Sequence, residues 1–177
     1  MEIINYFETT NQEHWKEEIK KSDWVAGAFL YELLSENKFK NLLGETSKLL
    51  LLTDGEKLAA FCTYAERDEI EDPTLTPWVG FVYTFPEYRG GRRMGLLLDR
   101  AYELAKEEGH EVIYISTGEE GLYEKYGYTY WQDMTDWNGG TSRVYRRFVK
   151  RFTKKKGDAD ELFRGRITRK RKEHSGK

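Results

Sequence analysis

The segment from Trp78 to Ala101 constrains the fold more than any other part of the chain. It starts with an apolar and aromatic run, Phe81 to Phe85, which has the composition of a central strand buried on both faces. Pro86 ends this strand because it has no N–H to donate. The apolar residues from Met94 to Ala105 then recur at helical spacing. The segment therefore predicts a buried strand, a tight turn and an amphipathic helix.

The predicted turn places glycines and arginines where the helix begins. Gly90 and Gly91 allow a sharp turn and a close approach of the backbone to a ligand. The free amides and the positive dipole end of a helix N-terminus attract anions. Three arginines add positive charge there: Arg89, Arg92 and Arg93. The pattern indicates a site for phosphate oxygens, and a plain loop with a solvated basic edge is the alternative.

Two nucleotide-binding motifs can be rejected for this turn. Gly90 and Gly95 have the first spacing of a P-loop, but Leu96 and Leu97 stand where that motif needs Lys and Ser or Thr. A Gly-x-Gly-x-x-Gly dinucleotide fingerprint is also absent. Nucleotide hydrolysis is therefore not expected.

Tyr88-Arg89-Gly90, between the aromatic strand and a leucine-rich helix, resembles the coenzyme-A-binding motif of the GCN5-related N-acetyltransferases (the GNAT superfamily). That motif reads Gln/Arg-x-x-Gly-x-Gly/Ala, and its amides hold the CoA pyrophosphate. The chain matches at Arg89, whereas Arg92 and Met94 replace the usual glycines and Gly95 falls one residue late. The resemblance implies acetyl-CoA as co-substrate, bound by Val82, Tyr83, Thr84, Arg89, Gly90, Gly91, Arg92, Arg93, Met94 and Gly95.

A second segment, Gly121 to Tyr128, resembles the Tyr-Glu-Lys-x-Gly-Phe element of the same family. The resemblance implies that Tyr123 is the general acid that protonates the departing thiolate, with Tyr126 as the fallback. Aromatic packing is the alternative role for Tyr123. The two motifs stand in the family's order, and the resemblance covers roughly residues 49 to 148.

The predicted elements alternate in the way that an α/β protein requires. The family resemblance implies a mixed sheet whose central parallel strands, starting near Phe81 and Val112, splay apart to admit the pantetheine arm. Gly80 marks either a bulge that helps this splay or a simple packing glycine. The predicted elements are strands over 2–7, 49–52, 58–66, 78–85, 112–116, 128–134 and 143–149, and helices over 11–21, 24–37, 94–108 and 119–126.

Acetyl transfer also needs a neutral amine, so a base must take the proton of an ammonium group. The strand over 78–85 contains no carboxylate. We predict Glu66 as the base, with a water relay as the alternative. A backbone N–H of the Phe81–Thr84 strand is predicted to polarise the thioester carbonyl.

Charge and composition narrow the remaining possibilities. Residues 150–177 carry 12 Lys and Arg against 4 Asp and Glu, and the other residues carry 17 against 27. We predict a domain over residues 1–149 and a basic tail over 150–177 that is dispensable for folding. The single cysteine, Cys62, is interpreted as a buried structural thiol. The three histidines stand far apart, so no metal site is expected.

These observations predict an N-acetyltransferase that acts on a primary amine of a small molecule or peptide. The acidic body favours a cationic acceptor. A non-catalytic CoA-binding or adaptor module is the alternative, and nucleic-acid binding through the tail is disfavoured because it has few stacking residues. No signal peptide or membrane span is predicted, which indicates a cytoplasmic location. The sequence leaves a monomer and a homodimer both open.

Overall fold

A computed structural model describes residues 1–151 of the chain. Seven strands form one mixed sheet in the order β1-β2-β3-β4-β5-β7-β6. All neighbouring pairs are antiparallel except β4 and β5, which are parallel. The strands are β1 (Glu2–Asn5), β2 (Lys48–Asp54), β3 (Lys57–Ala65), β4 (Trp78–Thr84), β5 (Val112–Thr117), β6 (Thr129–Thr135) and β7 (Thr141–Phe148).

Four α-helices connect these strands: α1 (Gln12–Lys20), α2 (Val25–Ser35), α3 (Phe39–Leu43) and α4 (Arg93–Glu107). Three 3-10 turns cover Tyr6–Glu8, Pro86–Tyr88 and Tyr123–Tyr126. The mixed α/β prediction is therefore confirmed. Helix α3 was not predicted, and the helix predicted over 119–126 is reduced to a single 3-10 turn at its end.

The predicted first strand is too long by two residues. It ends at Asn5, whose side chain accepts a hydrogen bond from the amide of Phe7 at 3.3 Å. This local bond gives the backbone an alternative to the ladder, so the chain turns into a 3-10 helix.

The core lies on both faces of the sheet. On one face, the Phe61 ring of β3 lies 6.3 Å from the ring of Trp24, just before α2. The next residue, Cys62, points to the opposite face because side chains alternate along a strand. Helix α4 covers that face with a stripe of buried residues: Leu97, Leu98, Ala101, Leu104 and Ala105. Cys62 is fully buried, as a structural thiol should be.

The central strands separate soon after they pair. The parallel ladder contains only Trp78 with Tyr114 and Val79 with Ile115, although both strands continue beyond these residues. On the other edge of β4, the register shifts by one residue, so β4 carries a bulge. The bulge centres on Phe81, whose φ is 48°, rather than on Gly80 itself. The predicted splay of the parallel strands is confirmed.

The end of the described chain stays attached to the domain. The amide of Lys150 donates a hydrogen bond to the hydroxyl of Tyr102 at 2.9 Å, and Arg151 pairs with Glu111 at 2.9 Å. The rest of the predicted basic tail lies outside the described residues, so the boundary at residue 149 stays a prediction. Among the helices of residues 1–151, none is both long enough and apolar enough to cross a bilayer.

Candidate active site

The gap between β4 and β5 forms a cleft of about 470 Å³. Its walls come from the separating strand ends, the start of α2, the start of α4 and the segment after β5. The lining includes four of the predicted site residues, Val82, Tyr83, Arg89, Met94, and also the predicted acid, Tyr123. The structure thus brings both sequence motifs to one cleft.

One edge of β4 is free to pair with a ligand. The amide of Phe85 donates to the carbonyl of Ala59 on β3 at 2.9 Å, so Phe85 and Tyr83 direct their backbone groups toward β3. Backbone groups alternate along an antiparallel strand, so those of Val82 and Thr84 face the cleft. The Thr84 carbonyl already accepts a hydrogen bond from Arg89 Nε at 2.9 Å. The amides of Val82 and Thr84 and the carbonyl of Val82 remain for a substrate.

The three arginines of the turn have different surroundings. Arg89 is held by Thr84 and lies over the Tyr83 ring, 5.5 Å from its centroid. Arg93 donates to the carbonyl of Tyr88 at 3.0 Å. Arg92 makes no side-chain hydrogen bond or ion pair with the described residues, and its φ of 53° is left-handed. Arg92 therefore adopts the backbone conformation that a glycine favours, at the position where the CoA-binding motif has one.

The glycines of the turn have separate roles. Gly90 has a φ of 85° and no atom within 4 Å of the position that a Cβ would occupy, so only its backbone conformation requires glycine. At Gly95, a Cβ would lie 2.8 Å from the ring of Tyr126. Gly95 thus lets the 3-10 turn of the second motif pack directly on α4. The remaining residues of the turn, Gly91, Arg92 and Arg93, are not among those that line the cleft.

Tyr123 lies in the cleft wall with 6% of its surface exposed. Its ring packs edge-to-face against Tyr128, with 6.3 Å between the ring centroids. Burial is the largest cause that raises the pKa of Tyr123 above the ordinary value for a phenol, and negative charge on neighbouring groups adds to it. The phenol therefore keeps its proton at neutral pH, as a proton donor must.

The structure places Glu66 away from this cleft. It follows the end of β3 and accepts hydrogen bonds from the amide of Thr46 at 2.8 Å and from its hydroxyl. The Thr46 hydroxyl is the largest cause that lowers the pKa of Glu66, and the amide adds to the effect. The carboxylate lines a separate depression with Tyr64, Glu108 and others. Nothing in this geometry brings Glu66 to the parted strands.

Other carboxylates stand where β4 and β5 separate. A Cβ built on Gly80 would lie 2.5 Å from Asp68 Oδ1, so this carboxylate rests against the backbone of a residue that lines the cleft. Glu69 accepts a hydrogen bond from the hydroxyl of Ser116, which also lines the cleft. Which member of the acidic run from Glu66 to Asp72 faces the site could not be predicted from the sequence.

Aromatic rings from distant segments meet around Phe81, which lines the cleft. The Phe29 ring of α2 lies 6.2 Å from that of Phe81 and 6.5 Å from that of Trp137, in the turn between β6 and β7. These three residues are far apart in the sequence, so no local sequence motif could predict that their rings meet.

A family model described as an acetyltransferase (GNAT) domain matches residues 16–131. The chain therefore belongs to the GNAT acetyltransferases. The predicted family and the predicted enzyme class, an acyltransferase, are both confirmed.

Solved structures share the fold at low sequence identity. An aminoglycoside 6'-N-acetyltransferase in complex with coenzyme A is 14% identical, with a TM-score of 0.63 over 86% of this chain and 99% of that chain. A GNAT-family protein from Desulfovibrio desulfuricans is 12% identical, with a TM-score of 0.62 over 84% and 99%. The Salmonella typhimurium protein yncA, solved with its cofactor acetyl-CoA, is 12% identical, with a TM-score of 0.54 over 89% and 98%. No match was found among curated proteins.

The part of the chain that the structure describes contains no cluster of side chains suited to bind a metal ion. Within residues 1–151, His, Cys, Asp and Glu side chains form no group of three or more that could hold an ion.

Proposed function

We propose that the protein transfers the acetyl group of acetyl-CoA to a primary amine of a small molecule or peptide. The observation that carries this proposal is the parted pair β4 and β5, whose cleft contains a free strand edge, Tyr123 and the start of α4. Neighbours of the same fold bind CoA or acetyl-CoA, which supports the choice of co-substrate.

In this proposal the residues of the first motif hold the cofactor. The backbone of Val82 and Thr84 pairs with the pantetheine arm, and the Val82 amide polarises the thioester carbonyl. The amides at the start of α4, with Arg92 and its neighbours, bind the pyrophosphate. Tyr123 then gives its proton to the sulfur as the C–S bond breaks.

Calorimetry with acetyl-CoA tests the cofactor site. We expect binding by the wild type, and weaker binding of S-acetylpantetheine, which lacks the pyrophosphate. Gly90→Val should abolish acetyl-CoA binding because a β-branched residue cannot keep a φ of 85° without strain. Gly55→Val is the matched control, because Gly55 has a φ of 60° and equally open surroundings but lies in the β2–β3 turn. No binding by the wild type would refute the cofactor assignment.

The acceptor requires a separate experiment. Release of free thiol from acetyl-CoA should be measured across polyamines, amino acids, aminoglycosides and lysine peptides. Turnover with any amine supports an enzyme, and we expect cationic acceptors to be preferred. Tight acetyl-CoA binding without turnover on any amine would favour the second candidate, a CoA-binding or adaptor module.

A further inference from the structure

A half-buried carboxylate without a cation lies where β4 and β5 part. Asp68 belongs to the connection between β3 and β4 and rests on Gly80. No Lys, Arg or His of residues 1–151 forms an ion pair with Asp68. Charges that are largely removed from water are normally paired in proteins, so an unpaired, half-buried carboxylate at a cleft indicates that its partner comes with a ligand.

The nearby Arg67 does not supply the missing charge. Its guanidinium donates to the carbonyls of Leu42 at 3.2 Å and Asn41 at 3.1 Å. The other charged groups on this connection are all acidic: Glu69, Glu71 and Asp72. Removal of the carboxylate from water is the largest effect on Asp68 and raises its pKa to about 7. A hydrogen bond from the backbone of Glu69 lowers the pKa of Asp68, and the negative charge of Glu69 raises it.

A second polar group at the same point also has no partner. Thr63 faces Gly80 across the β3–β4 ladder, and its hydroxyl is buried without a hydrogen bond. A Cβ built on Gly80 would lie 3.1 Å from this hydroxyl and 2.5 Å from Asp68 Oδ1. Both polar groups thus lie against Gly80 beside the cleft, and a hydrogen-bonding ligand atom that approaches them there would satisfy them.

Asp68 also lines a second depression, of about 300 Å³. The rest of its lining combines apolar and aromatic surface, two further carboxylates and one guanidinium: Leu42, Ile70, Pro73, Trp137, Glu71, Asp72 and Arg67. The Arg67 guanidinium is engaged by the carbonyls of Leu42 and Asn41. An alkyl or aromatic stem fits the apolar part, and a second positive charge fits the exposed Glu71. Asp72 is already engaged, because its carboxylate caps the amide and hydroxyl of Thr74 at 2.9 and 2.6 Å.

We infer that Asp68 is the catalytic residue that binds the acceptor ammonium and takes its proton, and that the acceptor is a primary amine with a second positive charge. This inference rests on the proposed acetyl transfer. The ammonium gives one proton to the Asp68 carboxylate, and the neutral nitrogen attacks the thioester carbon. The C–N bond forms and the C–S bond breaks; Tyr123 protonates the sulfur. The second nitrogen proton restores Tyr123, and Asp68 releases its proton to water.

Three amines test this assignment: 1,6-diaminohexane, hexylamine and 6-aminohexanoate, whose far ends are positive, apolar and negative. We expect kcat/KM to fall in that order, and 6-aminohexanoate equal to the diamine would overturn the substrate class. Asp68→Asn should lower kcat/KM for the diamine by about 100-fold or more, within the range of general base catalysis. It should also remove the rise of kcat/KM with pH near 7.

Asp99→Asn is the control, since it removes an exposed carboxylate of α4 that lines neither the cleft nor the second depression, and it should leave the rate and its pH profile unchanged. Asp68→Glu keeps the charge and should retain the pH limb at a reduced rate, which provides a second variant if Asp68→Asn does not fold. Asp68→Asn turnover within threefold of wild type, or an unchanged limb near pH 7, would overturn the role of Asp68.

Binding gives a readout that does not depend on turnover. Calorimetry should show 1,6-diaminohexane binding to the CoA-saturated wild type at least tenfold more tightly than to Asp68→Asn. Equal affinities would refute the ammonium site. The affinity for acetyl-CoA should be the same in the wild type and in Asp68→Asn. If the wild type does not bind acetyl-CoA at all, that result counts against the proposed function and not against the role of Asp68.

Discussion

Replacing Tyr123 by phenylalanine removes one hydroxyl from the wall of the cleft and tests the proposed acid. The ring and its packing against Tyr128 are retained. The variant therefore separates the chemistry of the phenol from its packing.

The expected magnitude follows from the role. General acid catalysis contributes about 10²–10⁴-fold to a rate, which corresponds to about 3–5 kcal/mol of transition-state stabilisation. The proton moves only as the thiolate forms, so the loss should appear in kcat. The Kd for acetyl-CoA should change little. Since the pKa of Tyr123 is raised, kcat should not fall between pH 7 and 9 through loss of this proton.

Thiol release and calorimetry measure the two quantities, and Tyr128→Phe is the matched control. The Tyr128 hydroxyl is buried without a partner, and such a group costs about 1–3 kcal/mol. Its removal should raise the melting temperature by a few degrees and leave kcat unchanged. If Tyr123→Phe keeps the wild-type kcat while chemistry limits the rate, Tyr123 has only a packing role.

Four further predictions concern the backbone, the thiol, the titration of Asp68 and the tail. Arg92→Gly should raise the free energy of unfolding by about 0.5–1 kcal/mol, because glycine adopts the left-handed region freely. Calorimetry should show that the same variant binds acetyl-CoA more weakly. A lower melting temperature of the variant would contradict the stability prediction. Cys62, whose burial raises its pKa to about 12, should resist a thiol reagent until the protein unfolds; fast labelling of the native protein would contradict it. In the folded protein the pKa of Asp68 is raised to about 7, so the free energy of unfolding should fall as the pH rises from about 4 to 7. Denaturant titrations of Asp68→Asn should not show that fall. A chain truncated after Thr153 should keep its melting temperature and acetyl-CoA affinity; unfolding would show that the tail is part of the domain.

The cofactor half of the site could be predicted because it is local in sequence. The strand β4, the turn and helix α4 are contiguous, and the change from strand to helical periodicity marks their borders. Helix α3 escaped prediction because its five residues are too few to show a helical period. The segment over 119–126 is also too short to show a clear helical period, so a helix was predicted where only the 3-10 turn Tyr123–Tyr126 forms.

The acceptor half could not be predicted because distant segments assemble it. Phe29, Phe81 and Trp137 meet only after the sheet forms. Glu66 and Asp68 are two residues apart and both carry a carboxyl group, yet Thr46 binds Glu66 in one depression while Asp68 rests on Gly80. What distinguishes them is the path of the connection after β3, and no periodicity encodes such a path.

Backbone strain marks the middle of β4 and the start of α4, and the site accounts for it. Non-glycine residues with positive φ within residues 1–151 are Asn37, Phe81 and Arg92. Asn tolerates this region, but Phe and Arg cost about 1–2 kcal/mol each. Phe81 lies at the bulge beyond which β4 no longer pairs with β5, and its ring meets Phe29 on the acceptor side. Arg92 starts α4 at the proposed pyrophosphate site. The same two distortions free the strand edge and orient the helix amides, so relaxing either should stabilise the domain while weakening the site.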